Sequence, residues 1–234
     1  MIDVYAIQLN FDQQFPPSLF EKLSSLVPLE KKNRLMRFYR EEDRLRGLYG
    51  ELLLRYAIIQ RIACSNSQIQ FRTNDYGKPE LIGDNPVQFN LSHSGIWVVT
   101  AIDENPVGID VEEIQPIDLD ISENYFSPEE HRDLLAKEDK FDYFFTLWAL
   151  KESYIKILGK GLSHPLNAFS ISFLSPQEII LQVEGRRIKD ICFKMYPIHP
   201  QYKMAVCATH DQIPAQVKHI SQKQLTHFFF PIGY

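Results

Sequence analysis

Hydrophobic and polar positions change period several times along the chain. Residues 4–9 are apolar enough for a buried strand. After Pro16-Pro17, positions 18–27 read as a short helix, and Pro28 opens a charged helix that runs through Arg37 and beyond. Leu45, Leu48, Leu52, Tyr56 and Ile59 then recur at three- and four-residue intervals, which is one face of a helix. Short strands are expected at 69–72, 79–81, 88–91 and 97–102, with turn residues between them. Beyond Asn105-Pro106 the order restarts. A strand at 107–112 precedes a helix opened by Ser127-Pro128, with Ser as cap and Pro in the first turn. A long helix at 141–158 follows, then strands near 168–173, 178–183, 191–196 and 203–209. This layout predicts an α+β fold built as two similar lobes, 1–105 and 106–234, with a site at the interface between them, where sites often form. The apolar tail from His227 is expected to pack onto the body.

Composition narrows the classes. The 234 residues carry a net charge of −5, which disfavours general nucleic-acid or anionic-membrane binding. No apolar run approaches the ~18 residues of a membrane span. Cys64, Cys192 and Cys207 are odd in number and lack CxxC spacing, so a disulfide framework or a zinc site is not expected, and a cytoplasmic location is.

Four segments hold candidate chemistry. In the strand at 107–112, Asp110 and Glu112 share one face while Ile109 and Val111 take the other. Such a pair is either a solvated acidic face or a cation site. In the long helix, Tyr143, Leu147, Leu150, Tyr154 and Ile157 form the apolar stripe, and Glu152 and Lys156 lie one turn apart on nearly the opposite face. An exposed ion pair would look the same. The turn after Phe89 presents Ser92 and His93, suited to holding phosphate or to a purely structural role. A tight turn presents Lys78, and Lys31, Lys32, Arg34, Arg37, Arg40, Arg44 and Arg46 make a basic region in an otherwise acidic chain.

Taken together and in order, YGKP at 76–79, FNLSHSG at 89–95, VGIDVE at 107–112 and LWALKESYIKILGKGL at 147–162 closely resemble the 4′-phosphopantetheinyl transferases of the surfactin-synthetase (Sfp) type. FSPEE at 126–130 and YKMAVCATH at 202–210 add to the resemblance. It implies a pseudo-dimer of two α+β lobes, each an antiparallel sheet packed with helices, acting as a monomer. It implies transfer of phosphopantetheine from coenzyme A to a serine of apo carrier proteins, namely peptidyl, acyl or polyketide carriers of nonribosomal peptide, polyketide or fatty-acid synthases. Asp110, Glu112 and Glu152 are implied as ligands of Mg²⁺, with Mn²⁺ as the alternative. Lys31, Arg34, Arg46, Lys78, Ser92, His93 and Asp110 are implied to hold coenzyme A. Lys156 is implied at the pyrophosphate, Glu152 as the base, directly or through water, and Glu130 as an assisting acid. Gly47 stands where some members have a hydroxyl residue, and Glu113 and Gln115 stand where lysines are common. A silent coenzyme A or carrier-binding module and a metal-dependent phosphohydrolase are the competing readings.

Overall fold

The computed structural model describes residues 1–83, 87–159, 164–175 and 178–231. In chain order they form β1 (Asp3–Gln8), α1 (Pro17–Ser24), α2 (Leu29–Leu35), α3 (Glu41–Ile62), β2 (Phe71–Thr73), β3 (Pro79–Leu81), β4 (Gln88–Ser94), β5 (Trp97–Asp103) and β6 (Val107–Glu113). Then come α4 (Ser122–Tyr125), α5 (Pro128–Leu135), α6 (Lys140–Leu158), β7 (Phe169–Phe173), β8 (Ile179–Val183), β9 (Arg186–Ile188), β10 (Cys192–Tyr196), β11 (Tyr202–Ala208), β12 (Lys218–His219) and α7 (Gln222–Phe229). This is the expected α+β class.

Two sheets lie face to face between two long helices. The first has the order β12-β1-β5-β4 and the second β10-β11-β6. Strand alternation divides their side chains between layers. Tyr5, Ile7, Val98 and Ile102 turn outward into a core with α3, whereas Val4, Ala6, Val99 and Ala101 turn inward. There they meet Val107, Ile109 and Val111 of β6 and Met204, Val206 and Ala208 of β11. On the far side of the second sheet, Ala205 and Cys207 pack with Leu147, Leu150 and Tyr154 of α6. The stripe read from the sequence is therefore the buried face of that helix. The inner layer, shared by both sheets, thus binds the two lobes together.

Local chemistry sets the helix ends. Ser127 and Glu130 form a reciprocal capping box with Pro128 in the first turn of α5. Asp139 caps α6 by accepting from Asp142 N, and Gly159 ends it in the left-handed region at φ +66°.

One expectation is corrected. The charged helix opened by Pro28 stops at Leu35, and α3 begins afresh at Glu41. Leu35 is fully buried, and Gly47 of α3 provides the space: a methyl group there would lie 2.7 Å from Leu35 Cδ2. A continuous helix would carry Leu35 away from that slot. β12 pairs in parallel with β1, and Leu225 of α7 is buried in the core around α3, so the chain returns to the first lobe. The tail packs on the body through Phe228, edge-on to Tyr56 at 4.7 Å; residues 232–234 lie outside the described residues.

Candidate active site

The site forms where β4 of the first sheet runs beside β6 of the second. Alternate β4 side chains, Asn90, Ser92 and Ser94, reach across. Asn90 Oδ1 accepts the backbone N–H of Ile109 at 3.1 Å. Ser92 Oγ donates to Asp110 Oδ1 at 2.8 Å. Ser94 Oγ donates to Glu112 Oε2 at 3.1 Å and accepts from the N–H of Glu113 at 3.1 Å. The turn that follows holds Gly95 at φ +51°, and its carbonyl accepts from Arg46 Nη1 at 2.7 Å.

Helix α6 closes the site from the other side. Gly108 allows its close approach, since a methyl group on Gly108 would fall 1.9 Å from the carbonyl oxygen of Ser153. With the helix seated there, Lys156 Nζ donates to Asp110 Oδ1 at 2.6 Å, Ser92 Oγ at 2.9 Å and Ile109 O at 3.0 Å. Glu152 lies one turn back and feels the charges of Asp110 and Lys156. Burial, then Asp110, raise Glu152 above the usual carboxylate range. Glu112 is pushed up to about 7 by burial first and Asp110 second, with Ser94 and Lys156 opposing and Glu152 adding. Asp110 is 2% exposed, and its Oδ2 is buried without a hydrogen-bond partner among the described residues.

Asp110 adds to the raised proton affinity of both Glu112 and Glu152 and carries the orphaned buried oxygen, so the three carboxylates make a hard-oxygen donor set suited to a small divalent cation. Among the described residues, however, no three Asp, Glu, His or Cys side chains are gathered closely enough to hold a metal ion. Lys156 is the cation on Asp110 in this arrangement.

A cavity of about 450 Å³ adjoins the cluster, lined by Lys31, Arg34, Glu51, Phe71, Lys78, Asn90 and Leu91 among others. β4 is thus common to both: Asn90 and Leu91 line the cavity and Ser92 enters the carboxylate cluster. Lys78 donates to the carbonyl of Lys156 at 2.9 Å, tying the turn of the first lobe to the C-terminal end of α6. Burial pulls Lys31 and Lys78 below the usual lysine range, opposed by Glu51 and Glu80 respectively. His93 shares its face of β4 with Phe89 and Leu91, and desolvation and then Arg46 lower its proton affinity. Arg46 pairs with Asp43 at 2.5 Å.

The structure therefore gathers Ser92, Asp110, Glu112, Glu152 and Lys156, sets Lys31, Arg34 and Lys78 on the neighbouring cavity, and leaves His93 and Arg46 beside the β4–β5 turn. Glu130, expected to assist, lies apart from this cluster. It is 2% exposed in the second lobe, paired with fully buried Lys151 at 2.7 Å. It also accepts from the N–H groups of Ser127 at 2.7 Å and Ile171 at 2.6 Å. Nothing of it is open to a substrate. Residues 160–162 of the long motif lie outside the described residues. Sequence reasoning passed over Asn90 and Ser94, although their two-residue spacing around Ser92 is the mark of one strand face.

Both halves of the chain match family models. Residues 106–207 match the 4′-phosphopantetheinyl transferase superfamily model, and residues 15–105 match the N-terminal 4′-phosphopantetheinyl transferase model. The chain is 42% identical to 4′-phosphopantetheinyl transferase Sfp of Bacillus subtilis (strain 168), over 88% of this chain and 92% of that one. It is 39% identical to 4′-phosphopantetheinyl transferase ffp of Bacillus subtilis, covering 95% and 99%. It is 44% identical to 4′-phosphopantetheinyl transferase gsp of Aneurinibacillus migulanus, covering 83% and 81%. Fold, site and likeness define a transferase, and the chain belongs to the Sfp-type 4′-phosphopantetheinyl transferase family.

Proposed function

We propose that this protein transfers 4′-phosphopantetheine from coenzyme A to a serine hydroxyl of apo carrier proteins. The observation that carries the reading is the continuity of a cationic cavity with a carboxylate cluster along one strand, β4. The cavity takes the nucleotide end, with Lys31, Arg34 and Lys78 facing its phosphates through charge-assisted hydrogen bonds. Ser92 and Lys156 stand where the pyrophosphate reaches the carboxylates. The serine oxygen forms a bond to the β-phosphorus, and the bond from that phosphorus to the bridging oxygen breaks. Adenosine 3′,5′-bisphosphate leaves with the bonding pair. Glu152, whose proton affinity is raised, accepts the serine proton directly or through a water. The Lys156 ammonium offsets negative charge developing on the bridging oxygen. Mg²⁺, or Mn²⁺ in its place, would be held by Asp110, Glu112 and Glu152, and when bound it neutralises charge on the pyrophosphate.

The acceptors we propose are carriers of multidomain peptide and polyketide synthetases in the first place, with fatty-acid carriers also used. The enzyme works as a cytoplasmic monomer, its two lobes supplying the site between them. Among the described residues, no helix is long and apolar enough to cross a membrane. The test is incubation with coenzyme A, Mg²⁺ and a panel of apo carriers, scored by mass spectrometry for a gain of about 340 Da, the mass that this phosphodiester-forming step adds. Release of free phosphopantetheine with no carrier modified would instead identify a phosphohydrolase. Coenzyme A binding without turnover would identify a silent binding module.

A further inference from the structure

A carboxylate on the wall of a cavity built to receive an anion is unexpected, and Glu51 is one. It lies on α3, is 7% exposed, and lines the cavity together with Lys31, Arg34 and Lys78. Its two oxygens serve different partners. Oε1 accepts from Arg55 Nε at 2.8 Å, one helical turn on. Oε2 faces Lys31 Nζ at 3.3 Å.

Arg55 makes the arrangement rigid. It is 2% exposed, and its Nη1 is held by Asn66 O at 3.3 Å and Asn66 Oδ1 at 3.2 Å. Its guanidinium lies 5.5 Å from the ring centroid of Phe71, which also lines the cavity. A planar, permanently charged group fixed in this way holds the carboxylate in one orientation. The carboxylate in turn holds a lysine that the fold has largely withdrawn from water. The groups facing Lys31 are Glu30 and Arg34 on its own helix, Glu51 and Arg55 on α3, and Lys78 across the cavity. Without Glu51, Lys31 would stand among Arg34, Arg55 and Lys78 with only Glu30 nearby to balance them. A desolvated lysine in that setting lowers its energy by giving up its proton.

We propose that Glu51, clamped by Arg55, is a positioning residue that fixes Lys31 on the cavity wall as a cation and so determines affinity for the phosphate-bearing nucleotide end of coenzyme A. This inference rests on reading the cavity as the coenzyme A site. Burial pulls Lys31 down and Glu51 pulls it up, which agrees in sign. Removing Glu51 therefore moves the loss of the Lys31 proton to lower pH, and binding weakens as pH rises through that range.

The experiment uses the full chain with Glu51→Gln and Glu51→Asp. In ligand-free protein, the Lys31 ε-carbon is titrated by NMR after isotopic labelling of lysine, with Lys31→Arg to assign the signal. In Glu51→Gln the titration should move to lower pH, the KM for coenzyme A should rise on the order of tenfold, and kcat should stay within about twofold. The rise in KM should steepen above neutral pH. Glu51→Asp keeps the charge on a shorter arm, so it should restore most of the Lys31 titration; should Glu51→Gln not fold, this variant carries the test. A Lys31 titration unmoved in Glu51→Gln would overturn the proposal. So would kcat falling in step with kcat/KM at every pH, or Glu51→Asp displacing the Lys31 titration as far as the Gln variant. Calorimetry showing that the wild-type protein does not bind coenzyme A would sink the coenzyme reading instead, and the Lys31 titration would still decide the role of Glu51.

Discussion

Gly108 fixes how closely β6 and α6 approach. It shares the face of β6 that carries Asp110 and Glu112. In Gly108→Ala the new methyl would sit 1.9 Å from Ser153 O, 3.0 Å from Ser153 C and 3.2 Å from Ile157 N. Carbon and carbonyl oxygen do not approach closer than about 3.3 Å, so strand and helix must separate by more than ~1 Å. The obstacle is helix backbone, so no side-chain rotation relieves it. Overpacking of this kind costs about 1–3 kcal/mol. For a chain of this length each kcal/mol lowers Tm by roughly 2–4 °C, so a fall of about 2–12 °C is expected. The same displacement moves Asp110 and Glu112 away from Glu152 and Lys156, and a misplacement of ~1 Å costs turnover on the order of 10²-fold. Gly185→Ala is the control. Gly185 is at φ +72° in the two-residue β8–β9 turn, with nothing within 4 Å of an added methyl, so only backbone strain of about 1–2 kcal/mol applies and turnover should hold. Calorimetry and the carrier-loading assay read both quantities. A Gly108→Ala protein with Tm within ~1 °C of wild type and turnover within ~3-fold would refute the packing argument.

Three further outcomes follow from the same geometry. Glu152→Gln should lose at least ~10²-fold in turnover with Tm nearly unchanged, because Glu152 lies off the apolar stripe; near-normal turnover in the purified variant removes it from the mechanism. Glu130→Ala leaves Lys151 buried and unpaired, so it should cost about 3–5 kcal/mol of stability in a denaturant titration, while the protein that remains folded still loads carriers. Glu112 holds its proton up to about 7 in the folded protein and releases it at lower pH when unfolded, so the folded state binds the extra proton between those values. Stability of the metal-free protein should therefore fall as pH rises through that window, by at most about 3 kcal/mol, and Glu112→Gln should flatten the dependence; a wild-type profile as flat as the variant's would show that the folded protein does not hold the Glu112 proton.

Much of the site was visible in the sequence because it lies on regular elements. Period two placed Asp110 and Glu112 together with Ile109 and Val111 opposite, and period 3.6 set Glu152 and Lys156 away from the buried stripe. The Ser127 capping box was legible for the same reason. Glu130 shows where such reading stops. Its capping role and its chemical role look alike in sequence, and only the fold brings Lys151 and the N–H of Ile171 to it. The two-residue β12 has no periodicity to read, and its place beside β1 is a pairing across more than two hundred positions. The end of α2 depends on the slot that Gly47 opens for Leu35, a contact between helices that neither helix encodes alone.

The position of the site follows from how the lobes are joined. Neither sheet could hold the cluster by itself. The second lobe brings Asp110, Glu112, Glu152 and Lys156, and the hydroxyls that orient Asp110 and Glu112 come from Ser92 and Ser94 of the first. The seam is also where the backbone of β6 finds its outer partners, through Asn90 at Ile109 and Ser94 at Glu113. Carboxylate placement is therefore tied to a packed sheet-on-sheet layer and not to a loop, which suits a site that must hold like charges close together. Lys78 extends the same logic to the helix. Its ammonium sits on a carbonyl near the C-terminal end of α6, where the helix dipole favours a cation, while its side chain also lines the cavity beside the cluster. A phosphate drawing Lys78 toward itself would compete with that carbonyl. Occupancy of the cavity and the seating of the helix that carries Glu152 and Lys156 are thus joined through a single side chain.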